Sequence, residues 1–281
     1  MIDAHLHLWS LDSSYTEGVR PYAWLGPQHG ALFRSFGEDE AREVLEAAGV
    51  RGAVLVQADD TVGDTESMLA VAARQPWVLG VVGWVRLDSP PEASAALDLY
   101  GVTPLFKGVR HLVHEDPRDD FLSLPSVRKS LALVAQRGLV FDVPDAFPRH
   151  LGATVRLSRE LPELTVVLDH LGKPPLGDPD GMELWRTEFT ALGSAWNAVA
   201  KLSGLFVPGL EYSADSLRAV FEFSLEVFGP DRLMIGSDWP VSTLGAPYRR
   251  TLDVLLELVS SLSPDEQDAL FEGTAIRTYG L

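Results

Sequence analysis

Residues 3–9 read Asp3-Ala4-His5-Leu6-His7-Leu8-Trp9. Ile2, Ala4, Leu6 and Leu8 alternate with Asp3, His5 and His7, the period-2 pattern of a β-strand rather than the spacing of a helix. Residues two apart on a strand share a face, so His5 and His7 project together. Side-by-side imidazoles suit holding a metal ion or polarising an oxygen. A pair of core histidines satisfied by hydrogen bonds is the alternative. Partners delivered to the same place by other strands decide between the two.

Downstream, apolar runs alternate with helical stretches. Strand-like runs are Gly52–Gln57 (GAVLVQ), Trp77–Val85 (WVLGVVGWV), Leu105–Val113 (LFKGVRHLV), Gly138–Val143 (GLVFDV), Leu164–His170 (LTVVLDH), Ala198–Ser203 (AVAKLS) and Arg232–Asp238 (RLMIGSD). Helices read at 39–48, 64–74, 91–100, 124–136, 148–161, 182–192, 214–227 and 248–260, the second capped by Asp64 and Thr65. Eight strand–helix units with near-continuous apolar strands predict an α/β fold with a parallel, closed sheet, a (β/α)8 TIM barrel. A long loop follows strand one. An extra helix, Ser263 to Tyr279, ends the chain, with Ser263-Pro264 as its N-cap and first residue. No glycine-rich phosphate loop follows any strand, which counts against a doubly wound open sheet. No linker breaks the composition, so residues 1–281 read as a single domain.

At 281 residues and 30.7 kDa the chain matches one such barrel, typically about 250 residues long. The absence of cysteine removes disulfides, thiolate metal sites and thiol nucleophiles. A net charge of -17 argues against nucleic acid and anionic membranes as partners. Screening over about 8 Å still lets local Lys and Arg govern a pocket. No apolar run approaches the roughly 18 residues that span a bilayer, and strand sequence from Ile2 leaves no room for a signal peptide. The expectation is a cytoplasmic protein acting on a small molecule and compatible with a homo-oligomer. The connection 10–38 carries Tyr15, Tyr22, Trp24, Phe33 and Phe36. It reads as a flap over one end of the barrel, with Trp24 a substrate contact and packing alone the other reading.

Active sites of such barrels lie at the carboxyl ends of the strands. Those ends supply His5, His7, Gln57, Arg86, Lys107, Arg110, His111, Asp142, His170, Lys201, Ser203 and Asp238. Parity puts Lys107 and His111 on one face, with Arg110 opposite unless a bulge or the strand end re-aims it. Gly236 leaves space beside Asp238. Asp169, of opposite parity to His170, reads as a cap or brace. The set fits hydrolysis of an activated carbonyl. Asp238 can take a proton from water and His170 can orient that water. Arg110, Lys107 or His111 can stabilise the oxyanion and the carboxylate product. Without a GxSxG elbow or a cysteine, direct attack by water is the better reading.

DAHLHLW, GAVLVQ, GVVGWV, FKGVRHLV, GLVFDV, VVLDHLGKPP, AKLSGL and RLMIGSDWPV, in this order, resemble the lactonase branch of the amidohydrolase superfamily. That branch includes hydrolases of L-fuconolactone and L-rhamnonolactone, and pyrone-dicarboxylate lactonases. The resemblance implies a (β/α)8 barrel and hydrolysis of a lactone, an aldono-lactone first. It makes His5, His7, His170 and Asp238 core site residues, with Asp238 the base, and makes Lys107, Arg110 and His111 substrate contacts. Two departures stand out. Metal-dependent relatives generally add a fifth-strand His, where this chain has Phe141-Asp142-Val143. One divalent ion, zinc first, on His5, His7 and Asp238 therefore stays open beside a metal-independent site. Sugar lactonases also often read GWVDL where Arg86 stands here. An Arg86 facing the pocket would favour a dicarboxylate pyrone or muconolactone, and one at a solvated strand end would not. The rivals are a metal-dependent decarboxylase of the same superfamily and a non-catalytic sugar-binding barrel.

Overall fold

Each apolar run becomes one strand of a parallel sheet, in a computed structural model that describes residues 1–11 and 22–281. The strands are β1 (Ile2–Leu6), β2 (Gly52–Val56), β3 (Val78–Gly83), β4 (Phe106–Arg110), β5 (Val140–Val143), β6 (Val166–Leu168), β7 (Ala198–Leu202) and β8 (Leu233–Ile235). They pair in chain order. A parallel bridge between Leu6 and Trp239 joins the last strand's extension to the first. His7 N–H donates to Trp239 O at 2.7 Å and Asp238 N–H to His5 O at 2.9 Å, so the seam that closes the barrel carries three of the expected site residues.

Around the sheet lie α1 (Glu38–Ala48), α2 (Val62–Ala72), α3 (Pro90–Tyr100), α4 (Pro125–Gln136), α5 (Leu151–Glu160), α6 (Pro179–Gly193), α7 (Ala214–Phe228) and α8 (Tyr248–Val259). α1 opens with Glu38, Asp39 and Glu40, charges that suit a helix N-terminus. α2 is capped by Thr61, which accepts from Asp64 N–H, three residues before the expected cap. The Asp64 side chain instead pins the loop after β1, because its carboxylate takes the Tyr22 hydroxyl at 2.7 Å and the Ala58 N–H at 2.9 Å. The final helical segment is α9 (Pro264–Asp268), one π-type turn and α10 (Thr274–Tyr279), and Ser263 with Glu266 forms its capping box. No described helix is long and apolar enough to cross a membrane.

Ile2, Ala4, Val54, Val56, Val82, Val140, Val167, Val199 and Met234 fill the lower half of the barrel, and Ala275 and Tyr279 of α10 pack up against them. A larger apolar layer lies between the strands and the surrounding helices. Of the long loop, Tyr15 lies outside the described residues. Trp9 and Phe36 exchange backbone hydrogen bonds at 3.2 and 2.8 Å, which folds the rest of it onto the carboxyl end of β1.

Candidate active site

The inward face of a strand repeats every second residue, so the positions above Val140, Val167 and Val199 are Asp142, Asp169 and Lys201. All three are buried. On β1 the register to β2 slips between Asp3 and Leu6, three steps against two, as in a bulge. Ala4 and His5 therefore both face inward. Asp3 turns outward to the Tyr248 hydroxyl at 3.1 Å instead of sharing a face with His5. A Cβ on Gly236 would meet His5 Cβ at 2.6 Å, so the space expected beside Asp238 is the space His5 occupies.

These groups make a closed layer of charge. Lys201 Nζ lies 2.6 Å from Asp142, 3.0 Å from Asp169 Oδ1 and 3.1 Å from His5 Nδ1. Arg110 donates to Asp169 Oδ2 at 2.8 Å and to Gln57 O at 2.9 Å. The Tyr279 hydroxyl reaches Asp142 from below at 2.9 Å. Burial alone would raise the Asp169 carboxyl, but Lys201, His5 and Arg110 hold it well below the usual range. Burial pushes Asp142 up, and Asp169 beside it adds to the rise against the pull of Lys201. Asp169 is therefore the hub of the layer, a part that strand parity from Val167 assigns and that attention to His170 concealed.

Above the layer sit His5, His7, His170 and Asp238. The His170 backbone has φ 54°, which swings its ring off the strand pattern, and Asp238 has φ 59°. Such left-handed backbone costs about 1–3 kcal/mol per residue and is typical of functional sites. Asp238 Oδ1 lies 3.3 Å from His7 Nε2 and 3.8 Å from the Nε2 atoms of His5 and His170. Ser203 Oγ holds His170 Nδ1 at 2.8 Å. Gly204 (φ 57°) passes so close that a Cβ would lie 2.5 Å from His170 Nδ1 and 2.8 Å from Asp238 Oδ2. Burial pushes the His5 and His170 imidazoles well below their usual range, so both are neutral.

His7 Nδ1 donates to Val56 O at 2.8 Å, and its Nε2 faces His5 Nε2 at 3.0 Å and Asp238 Oδ1 at 3.3 Å. His5 Nδ1 lies 3.1 Å from Lys201 Nζ. The same atoms fit a cation. His5 Nε2, His7 Nε2 and Asp238 Oδ1 are 3.0 to 3.8 Å apart, bracketing the ~3.3 Å edge of a tetrahedron with bonds of about 2.0–2.1 Å. Binding would require the His5 proton on Nδ1. Buried Asp169 Oδ1, which also faces Lys201 Nζ at 3.0 Å, lies 3.3 Å from Nδ1 and can accept its hydrogen bond. A second grouping, His5, Asp169 and His170, is less suited, because Lys201 and Arg110 already occupy Asp169.

A cavity of about 140 Å³ opens over this floor, walled by Trp9, Trp24, Leu112, His114, Glu115, Asp145 and Lys173 among others. Arg110, His7, His170 and Asp238 line it as well. Trp24 is held by its indole N–H on Ala58 O at 2.7 Å. Three expected contacts lie elsewhere. Lys107 is at the opposite end of β4, donating to Gly280 O at 2.7 Å beside the chain's last helix. His111 is clamped between Asp60 and Asp116, each at 3.2 Å, and stacks on Phe121. Arg86 is 56% exposed and pairs with Asp88 and Glu92, facing solvent. Parity separated Arg110 from Lys107 and His111, and β4 ends at Arg110, whose side chain takes the upper inward position. Sequence reading missed His114, Asp145 and Lys173, loop residues without periodicity. The polar run His114-Glu115-Asp116 shortly after β4 was the available signal.

A parallel barrel with imidazoles and a carboxylate at the mouth defines a class of metal-capable, water-activating sites. The chain belongs to the amidohydrolase family, whose sequence profile matches residues 2–281. It is 33% identical over 287 residues to an L-fucono-1,5-lactonase of Burkholderia ambifaria, covering 99% of this chain and 94% of that one. A second L-fucono-1,5-lactonase, from Burkholderia multivorans, is 31% identical over 295 residues, covering 100% and 96%. An amidohydrolase from Burkholderia multivorans, solved with bound zinc, superposes with a TM-score of 0.88 at 30% identity, covering 100% of this chain and 99% of that one.

Proposed function

We propose that the protein hydrolyses a lactone, an aldono-lactone first, by direct attack of water activated by Asp238. The observation that carries this reading is the Asp238 carboxylate at the cavity floor, within 3.8 Å of three imidazole nitrogens. Water on Asp238 attacks the lactone carbonyl carbon as its proton passes to the carboxylate. The carbonyl oxygen gains negative charge beside Arg110 and Lys173, which line the same cavity. Collapse breaks the ring C–O bond, and the departing oxygen takes the proton from Asp238, leaving a hydroxy acid. His170, held by Ser203, keeps the water in line. A divalent cation on His5, His7 and Asp238, zinc by analogy with the solved relative, would supply Lewis-acid polarisation. The L-fucono-lactonases among the relatives support the aldono-lactone. The dicarboxylate reading rested on Arg86, which faces solvent.

A panel of aldono-lactones and dicarboxylate lactones, followed by acid release, tests the proposal. The expected result is turnover of aldono-lactones that falls about 10²–10⁴-fold in Asp238→Asn. Wild-type turnover in a folded Asp238→Asn protein would refute the assignment. Carbon dioxide release from an aromatic acid, or lactone binding without turnover, would establish a rival.

A further inference from the structure

The loop from β7 to α7 carries Ser203 and Gly204, which pack against His170 and Asp238, and further along Tyr212. A second cavity, of about 180 Å³, opens on this loop's side of Asp238, with Gly204, Tyr212, Ser242 and Lys173 in its wall. Asp238 divides its two oxygens between the cavities. Oδ1 faces the His7 and His170 rings, which line the first, and Oδ2 lies against Gly204, which lines the second. The Tyr212 ring packs on the apolar layer outside the strands. Its hydroxyl has no hydrogen-bond partner among the described residues. Burial, and after it the Asp238 charge, push this phenol above its ordinary value, so it keeps its proton at neutral pH. The other donors of the cavity are less free. Lys173 donates to Gly204 O at 2.9 Å, and Ser242 Oγ is buried.

We propose that the Tyr212 hydroxyl is a further catalytic group, donating a hydrogen bond to the ring oxygen of the lactone as it departs. The inference rests on the lactonase reading. Water attacks from the imidazole side and passes its proton to Asp238. The ring C–O bond then breaks, and its electron pair goes to the ring oxygen. That oxygen leaves on the Oδ2 side, where Asp238 returns the proton and the Tyr212 O–H meets the growing charge. Tyr212 keeps its own proton throughout. An unaided alcohol departs as an alkoxide, whose conjugate acid has a pKa near the value of about 15.7 for water. A fixed donor aimed at such developing charge lowers the barrier more than it tightens substrate binding. An unpaired hydroxyl in a largely enclosed wall, costly in the empty protein, gains its partner only in that step.

The test is Tyr212→Phe in the full-length protein, which keeps the packed ring and removes only the hydroxyl. The probe is L-fucono-1,5-lactone or, if the wild type opens another aldono-lactone or dicarboxylate lactone of the panel faster, that lactone. kcat is expected to fall about 10²-fold, the loss on removing one donor to a developing oxyanion, while KM holds. The heavy-oxygen isotope effect at the ring oxygen is expected to rise, because C–O cleavage then proceeds with less help. A purely structural role would leave that isotope effect unmoved. The melting temperature of Tyr212→Phe is expected to match wild type, since no hydrogen bond within the protein is lost. Wild-type kcat in Tyr212→Phe, or a loss with an unchanged isotope effect, would overturn the assignment and leave the lactonase standing. A wild type that opens no lactone of the panel would overturn the lactonase reading and the role of Tyr212 with it.

Discussion

The lower and upper halves of the barrel interior are built by the same strands and obey different rules. Below, Val140, Val167, Val199 and Met234 touch other apolar groups. Two residues further along, roughly 6–7 Å up the strand, Asp142, Asp169 and Lys201 meet charges, imidazoles and the Tyr279 hydroxyl. The lower half needs volume, and cores accept swaps that conserve it. The upper half needs a sum. Lys201 and Arg110 face Asp142 and Asp169, two cations against two carboxylates. Removing one member leaves another buried and uncompensated.

The largest expected effect follows directly. Lys201→Met gives the upper layer the chemistry of the lower and leaves the buried Asp142 without its cation, so stability should fall by about 3–5 kcal/mol. A chemical denaturation curve within 1 kcal/mol of wild type would show that the balance is not what holds this layer. Met234→Ala attacks the other half. It should cost about 2–5 kcal/mol, yet the folded fraction should keep its kcat; a parallel loss of kcat would erase the distinction between the halves. Gly204→Ala sharpens the comparison from above. Forcing a side chain into φ 57° should cost about 1–2 kcal/mol. A Cβ pressed against His170 and Asp238 should lower kcat/KM about 10²-fold, the effect of a misplacement near 1 Å. Unchanged kinetics would mean that the His170–Asp238 spacing is not critical.

The fold was legible because each strand is a short apolar run bounded by turn and cap residues, and His5, His7, His170 and Asp238 were legible because each ends such a run. What escaped did so for identifiable reasons. The bulge at Ala4–His5 breaks the alternation that would group Asp3 with the histidines. The left-handed backbone at His170 re-aims it, so that it and its neighbour Asp169 both serve the site, which strict parity forbids. Lys107 and Arg110 lie three residues apart, yet one faces each end of the barrel. His114, Asp145 and Lys173 come from loops that only the closed barrel brings together.

The seam between β1 and the residues after β8 also has a meaning in time. His5 and His7 leave the ribosome more than two hundred residues before Asp238, which is hydrogen-bonded to His5 O. Tyr279, which steadies Asp142, follows later still. Until then β1 is an open sheet edge, able to pair with a neighbouring nascent chain, and the contacts that would close it are the most distant in sequence and so the slowest to form. A chain stopped short of β8 carries the histidines but lacks Asp238. The cluster of His5, His7, His170 and Asp238 is therefore complete only once β8 and the residues after it have been made.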